Sequence, residues 1–119
     1  MHTQRLKAIQ IPSGTLSLLE SFATSIMRPA TGARVIRTLK ELPPRHRERV
    51  GRGTEQHYLW YAWEDAGRVR LVTGAMSLER SRERGRPVLE ARIYDDQGLL
   101  EESGAWLRTP EGRWERCDW

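Results

Sequence analysis

Two arginine clusters are the residues best equipped to hold another molecule. The first is Arg45, Arg47, Arg49 and Arg52, with His46 among them, set between Pro43-Pro44 and a glycine pair at Gly51 and Gly53. The second is Arg80, Arg82, Arg84 and Arg86, alternating with Ser81, Glu83 and Gly85. A guanidinium stays charged at any physiological pH and presents a planar fork of N–H donors that matches a phosphate at two points. Exposed and mobile segments of this kind suit an acidic partner, nucleic acid above all. If strands continue into the second cluster, its arginines share one side of a β-arm that could enter a groove or follow a backbone. The plainer reading is a solvated loop whose arginines pair with Glu79 and Glu83, at ~0 to 1 kcal/mol per pair. None of the recognised nucleic-acid motifs accompanies either cluster.

Groups for covalent or acid–base chemistry are fewer and poorly spaced. His2, His46 and His57 are the only imidazoles, and no two sit at a chelating interval. Cys117 is the only cysteine, so an intrachain disulfide and a cysteine-rich metal cluster are both excluded. Cys117 could act as a nucleophile only if the last strand met His57; a small, inert, buried thiol is the simpler expectation. Glu79, Glu90, Asp95, Asp96, Glu101 and Glu102 could supply a carboxylate pair, but such a pair needs a cleft and unlike environments. The phosphate-cradling glycine loops are absent. These observations favour a protein that is not an enzyme and that needs no metal or cofactor.

The tryptophans offer a second kind of contact. Trp60, Trp63, Trp106 and Trp114 lie on candidate strands, with Trp119 at position 119. Tryptophan is over-represented in binding hot spots, so Trp60/Trp63 and Trp106/Trp114 are candidates for an interface. The alternative is aromatic filling of a helix-on-sheet core.

The elements that must position these residues follow from length and pattern. A chain of 119 residues, 38% hydrophobic and 30% charged, suits one domain with one ordinary core. No apolar run approaches the ~20 residues of a membrane helix, and the first residues lack the apolar stretch of a signal peptide, so the expected setting is the cytoplasm, with no membrane partner. Net charge is +4, concentrated in the first half: residues 1–59 carry ten Lys/Arg against four Asp/Glu, or +6, and residues 60–119 carry ten against twelve, or −2. Eighteen arginines against two lysines suit a GC-rich bacterial genome.

Residues 1–42 read as a short strand over Leu6–Ile11 followed by two helices. The first helix carries Leu18, Leu19, Phe22, Ala23 and Ile26, with Ser17 and Glu20 as a capping box and Pro29 as a stop. The second carries Val35, Ile36, Leu39 and Leu42, with Thr31 as N-cap and Pro43-Pro44 as its end. Residues 43–56 read as a basic linker. From 57 to 119 the period becomes two: Tyr58–Trp63, Val69–Leu78, Val88–Tyr94, Leu99–Leu107 and Trp114–Trp119 form a β-meander. Gly67, Gly98 and Gly112 are each placed to close a type I turn with a glycine bulge. Leu89, Ala91 and Ile93 alternate with Glu90 and Arg92, giving one dry and one wet face.

The resulting fold class is α+β, two N-terminal helices packed on four or five antiparallel strands. Its element order resembles the cystatin or NTF2-like arrangement, a likeness of architecture that implies no activity. The first functional reading is a small, non-catalytic bacterial interaction protein, a homodimer or one with a protein partner, using the tryptophan face and a basic surface. The alternatives are nucleic-acid binding through the two arginine clusters, and a ligand pocket or enzyme between helices and sheet using His57, Cys117 or a sheet carboxylate.

Overall fold

The structure is a computed structural model and describes residues 14–50 and 59–117. The described residues open with helix α1 (Thr15–Met27), followed by strand β1 (Arg34–Ile36), a 3-10 turn (Leu39–Glu41) and helix α2 (Pro44–Val50). Strands β2 (Leu59–Asp65) and β3 (Arg68–Met76), helix α3 (Leu78–Arg84), and strands β4 (Val88–Tyr94), β5 (Leu100–Arg108) and β6 (Trp114–Cys117) follow. Among the described residues the fold is thus α+β with a six-stranded sheet, and strand order equals chain order, every neighbouring pair antiparallel. The expected strand at Leu6–Ile11 lies outside the described residues. No helix among the described residues is long and apolar enough to cross a membrane.

One side of the sheet is closed by α1. Leu19, Phe22 and Ala23 fall on one stripe of that helix and pack with Tyr61, Trp63, Val72, Leu89, Ala91, Ile93, Trp106 and Trp114. Phe22 is the wedge: its ring lies 4.7 Å from that of Trp106 and meets Trp114 edge-on at 5.7 Å. At Gly74 in β3 the sheet has no room for a side chain, because a Cβ would stand 2.7 Å from the Glu90 carbonyl oxygen. The far side of the sheet holds a second, smaller cluster of Ile36, Leu42, Ala62, Val69, Leu71 and Tyr94, with Trp60 packed against it.

Four elements differ from the expectation drawn from sequence. The helix expected between Thr31 and Leu42 is a strand and a 3-10 turn. Gly32 turns the chain at a φ of 89°, and β-branched Val35 and Ile36 then sit opposite Trp63 and Ala62. The linker at 43–56 instead opens as α2, with Pro44 at its first position, where a missing N–H costs nothing. The Arg80–Arg86 segment is no β-arm but α3, started by the Ser77 hydroxyl accepting from the Arg80 N–H and stopped by left-handed Gly85. Finally, α1 starts at Gly14 without a side-chain cap, and Glu20 is turned to Arg37 at 2.9 Å instead of serving a capping box.

The hairpin glycines stand as read: Gly67, Gly98 and Gly112 have φ of 80°, 79° and 86°. Two of the turns close as expected, through Gly98 N–H to the Asp95 carbonyl and Gly112 N–H to the Thr109 carbonyl. The β2–β3 turn is tighter, with Asp65 paired directly to Arg68 and both Ala66 and Gly67 left-handed.

Because Phe22 fills the space between two tryptophans, Phe22→Ala is expected to cost about 3–5 kcal/mol. The change should appear as a lower urea midpoint with an unchanged slope. A loss below about 1 kcal/mol would show that α1 does not close the core.

Candidate functional site

Several arginines on and beside the sheet are neutralised locally. Arg34 bridges Glu41 and Glu64, each at 2.8 Å, and this pairing raises its pKa, with the Glu64 hydrogen bond the larger cause. Glu41 is held below the usual carboxylate range by the Thr38 hydroxyl and by Arg34. Arg37 pairs with Glu20, Arg70 with Glu101 and Arg116 with Glu102. The Arg116 guanidinium also donates to the Ser103 carbonyl, lies 5.0 Å from the Trp106 ring, and occupies the space a side chain at Gly104 would fill.

The arginines of the two short helices divide into anchors and free groups. In α2 the anchors are Arg45, which donates to the Gln97 side chain, and His46, which is fully buried and whose Nε2–H donates to the Asp95 carbonyl at 2.7 Å. The β4–β5 turn that receives them is fixed by Asp95, whose carboxylate accepts the Leu99 and Gln97 N–H groups and is thereby held below its ordinary pKa. Gly98 adds to this fit, since a side chain there would press on Arg45, 3.3 Å away. In α3 the anchor is Arg80, 3.4 Å from Glu90. The Ser81 hydroxyl holds the return chain by accepting from the Val88 N–H at 2.8 Å.

What remains is a set of exposed arginines, Arg47 and Arg49 on α2 and Arg82, Arg84 and Arg86 on and after α3. None of these five makes an ion pair or side-chain hydrogen bond among the described residues. Glu79 and Glu83, the expected local partners, leave them free. Arg52 lies outside the described residues.

Of the four tryptophans read as interface candidates, Trp63, Trp106 and Trp114 are 1%, 4% and 6% exposed, so the core takes them. Only Trp60 is half-buried, on the far side of the sheet. The candidate reactive groups are likewise occupied or apart. Glu90, Glu101 and Glu102 are paired with arginine, Cys117 is half-buried opposite Ala105, and His57 lies outside the described residues. The described residues contain no group of three or more His, Cys, Asp or Glu able to hold a metal.

Open space occurs at the rim of the fold. A cleft of about 280 Å³ is lined by Asp65, Arg68, Arg70, Asp95, Asp96 and Glu101, and one of about 390 Å³ by Arg45, Glu48, Arg49, Gln97 and Leu99. A third of about 280 Å³ lies between Leu16, Ile36, Arg37 and the Leu59–Tyr61 stretch. In the first, Asp65, Asp95 and Glu101 are already bound to backbone or arginine, whereas the second places Arg49 beside the anchored Arg45. Sequence reasoning found the arginines but missed the burial of His46, which turns an expected loop into a docked helix. No family model, curated protein or solved structure matches the chain.

Asp95 gives this site a pH dependence of known sign. Its folded pKa is depressed, so the stability it contributes is complete above an unfolded aspartate's ~3.9 and is lost as pH falls through the lower folded value. Asp95→Asn retains an oxygen for the same two N–H groups but cannot titrate. Its melting temperature should therefore fall less than that of the native chain between about pH 5 and pH 2.5. Parallel curves would show that the turn draws nothing from the charge.

Proposed function

We propose that this protein is a non-catalytic binding protein that takes a polyanionic partner on the arginines of α2 and α3. One observation carries the reading: among the described residues Arg34, Arg37, Arg70 and Arg116 are each matched by a glutamate, while the five arginines clustered on and beside the two short helices, Arg47, Arg49, Arg82, Arg84 and Arg86, are exposed and make no ion pair. Unpaired guanidiniums on docked helices need little reordering to meet phosphate, sulfate or carboxylate groups, and their attraction is screened by salt. The buried positions of Trp63, Trp106 and Trp114 favour this basic surface over an aromatic sheet face as the point of contact.

Retention on immobilised dextran sulfate tests the reading. Neutralising the α2 pair as Arg47→Gln/Arg49→Gln should lower the eluting salt clearly more than Arg28→Gln/Arg113→Gln, which removes the same charge from exposed positions elsewhere. Equal shifts would reduce the effect to net charge and reject a dedicated surface.

A further inference from the structure

We infer that α2 and α3 act together as a two-point grip on double-helical nucleic acid. The inference rests on the polyanion reading above and adds the class of partner and the way it is held. Its basis is where the pleat of β4 puts the two helices. Leu89, Ala91 and Ile93 face α1, so Glu90 and Tyr94 face the opposite side. Arg80 of α3 is drawn to Glu90 on that side. Leu42, which leads the chain into α2, packs with Tyr94 on the same side, and His46 of α2 is tied to Asp95, the next residue. Both arginine helices therefore sit on the side of the sheet away from α1, one at each end of the same strand.

The span between them follows from strand geometry. From Val88 to Tyr94 the chain makes a seven-residue strand, which at ~3.3 Å per step separates the two clusters by roughly 20 Å. Two charge clusters held apart by a rigid strand select a partner that is itself stiff and charged along its whole length. A nucleic-acid duplex has one charge per ~1.7 Å of axis and stays straight over far more than 20 Å, so it meets both clusters in any register. An acidic protein would need two acidic patches at a matching interval, and a single strand would have to be straightened first. The predominance of arginine in both clusters agrees with phosphate as the group received. Nothing in this contact reads base edges, so sequence should matter little.

The test compares DNA hairpins with stems of about 4 and about 12 base pairs by fluorescence anisotropy across a salt series, since about six base pairs are needed to cover the gap. The longer stem should bind on the order of 100-fold more tightly, the gain expected when a second contact becomes intramolecular. Either Arg47→Gln/Arg49→Gln or Arg82→Gln/Arg84→Gln/Arg86→Gln should then bring the long stem down to the affinity of the short one. Circular dichroism of each variant verifies that the fold is kept. A smooth rise with length and independent, additive losses would overturn the joint grip while leaving polyanion binding intact. Equal or tighter binding of polyglutamate, or of single-stranded DNA of the same length, would overturn the duplex as partner. Salt-independent behaviour with every probe, together with failure on dextran sulfate, would overturn both readings.

Discussion

The closure of the sheet depends on one contact, the Phe22 ring lodged between Trp106 and Trp114. It ties α1 to β5 and β6, and with them the sheet becomes a surface with one side sealed. The cluster that includes Phe22 also contains Tyr61, Trp63, Val72 and Ile93, so the same helix pins the middle strands. Large aromatic residues suit this role because each buries much area at little conformational cost. With α1 committed to one side, α2 and α3 are left to the other. That division puts Arg47, Arg49, Arg82 and Arg84, which make no ion pair among the described residues, on helices of the side away from α1.

The arginines show how context divides one residue type among different tasks. On strands, Arg34, Arg70 and Arg116 each meet a glutamate of the sheet, and just past β1 Arg37 meets Glu20 of α1. On helices of seven residues only one or two side chains reach back to the sheet, so Arg45 and Arg80 anchor while their neighbours stay in solvent. Such short helices would be marginal alone. They persist because His46 and Ser81 supply buried or bridging hydrogen bonds to the sheet.

Much of the meander was legible in the chain because glycine at Gly67, Gly98 and Gly112 and two-residue alternation both report local geometry. The apolar stripe of α1 was legible for the same reason. Less could be read where tertiary contacts overrode local signs. Val35, Ile36, Leu39 and Leu42 have helical spacing, yet Trp63 and Ala62 offered β1 a strand to pair with. Pro43-Pro44 signals an end by its sequence, yet Pro44 is also a good beginning. Ser77 and Gly85 bracket α3 with standard start and stop chemistry, but the alternating arginines between them imitate a strand. The arginine sites were visible by type. Which of them would be free depended on partners such as Gln97 and Glu90, more distant or on another element, that no local pattern reveals.

The bond between Trp114 and Ser21 has a bearing on synthesis. The indole N–H of Trp114 donates to the Ser21 hydroxyl at 3.3 Å across a separation of 93 residues. Strands β2 to β5 can pair one after another as they leave the ribosome, since each finds its partner next in the chain. Helix α1 is made before all of them but gains its last aromatic neighbour only when β6 emerges. Until then its apolar stripe stays partly uncovered on the nascent chain, a target for chaperones and a place for premature association. Full cover of the α1 stripe therefore waits on the arrival of β6.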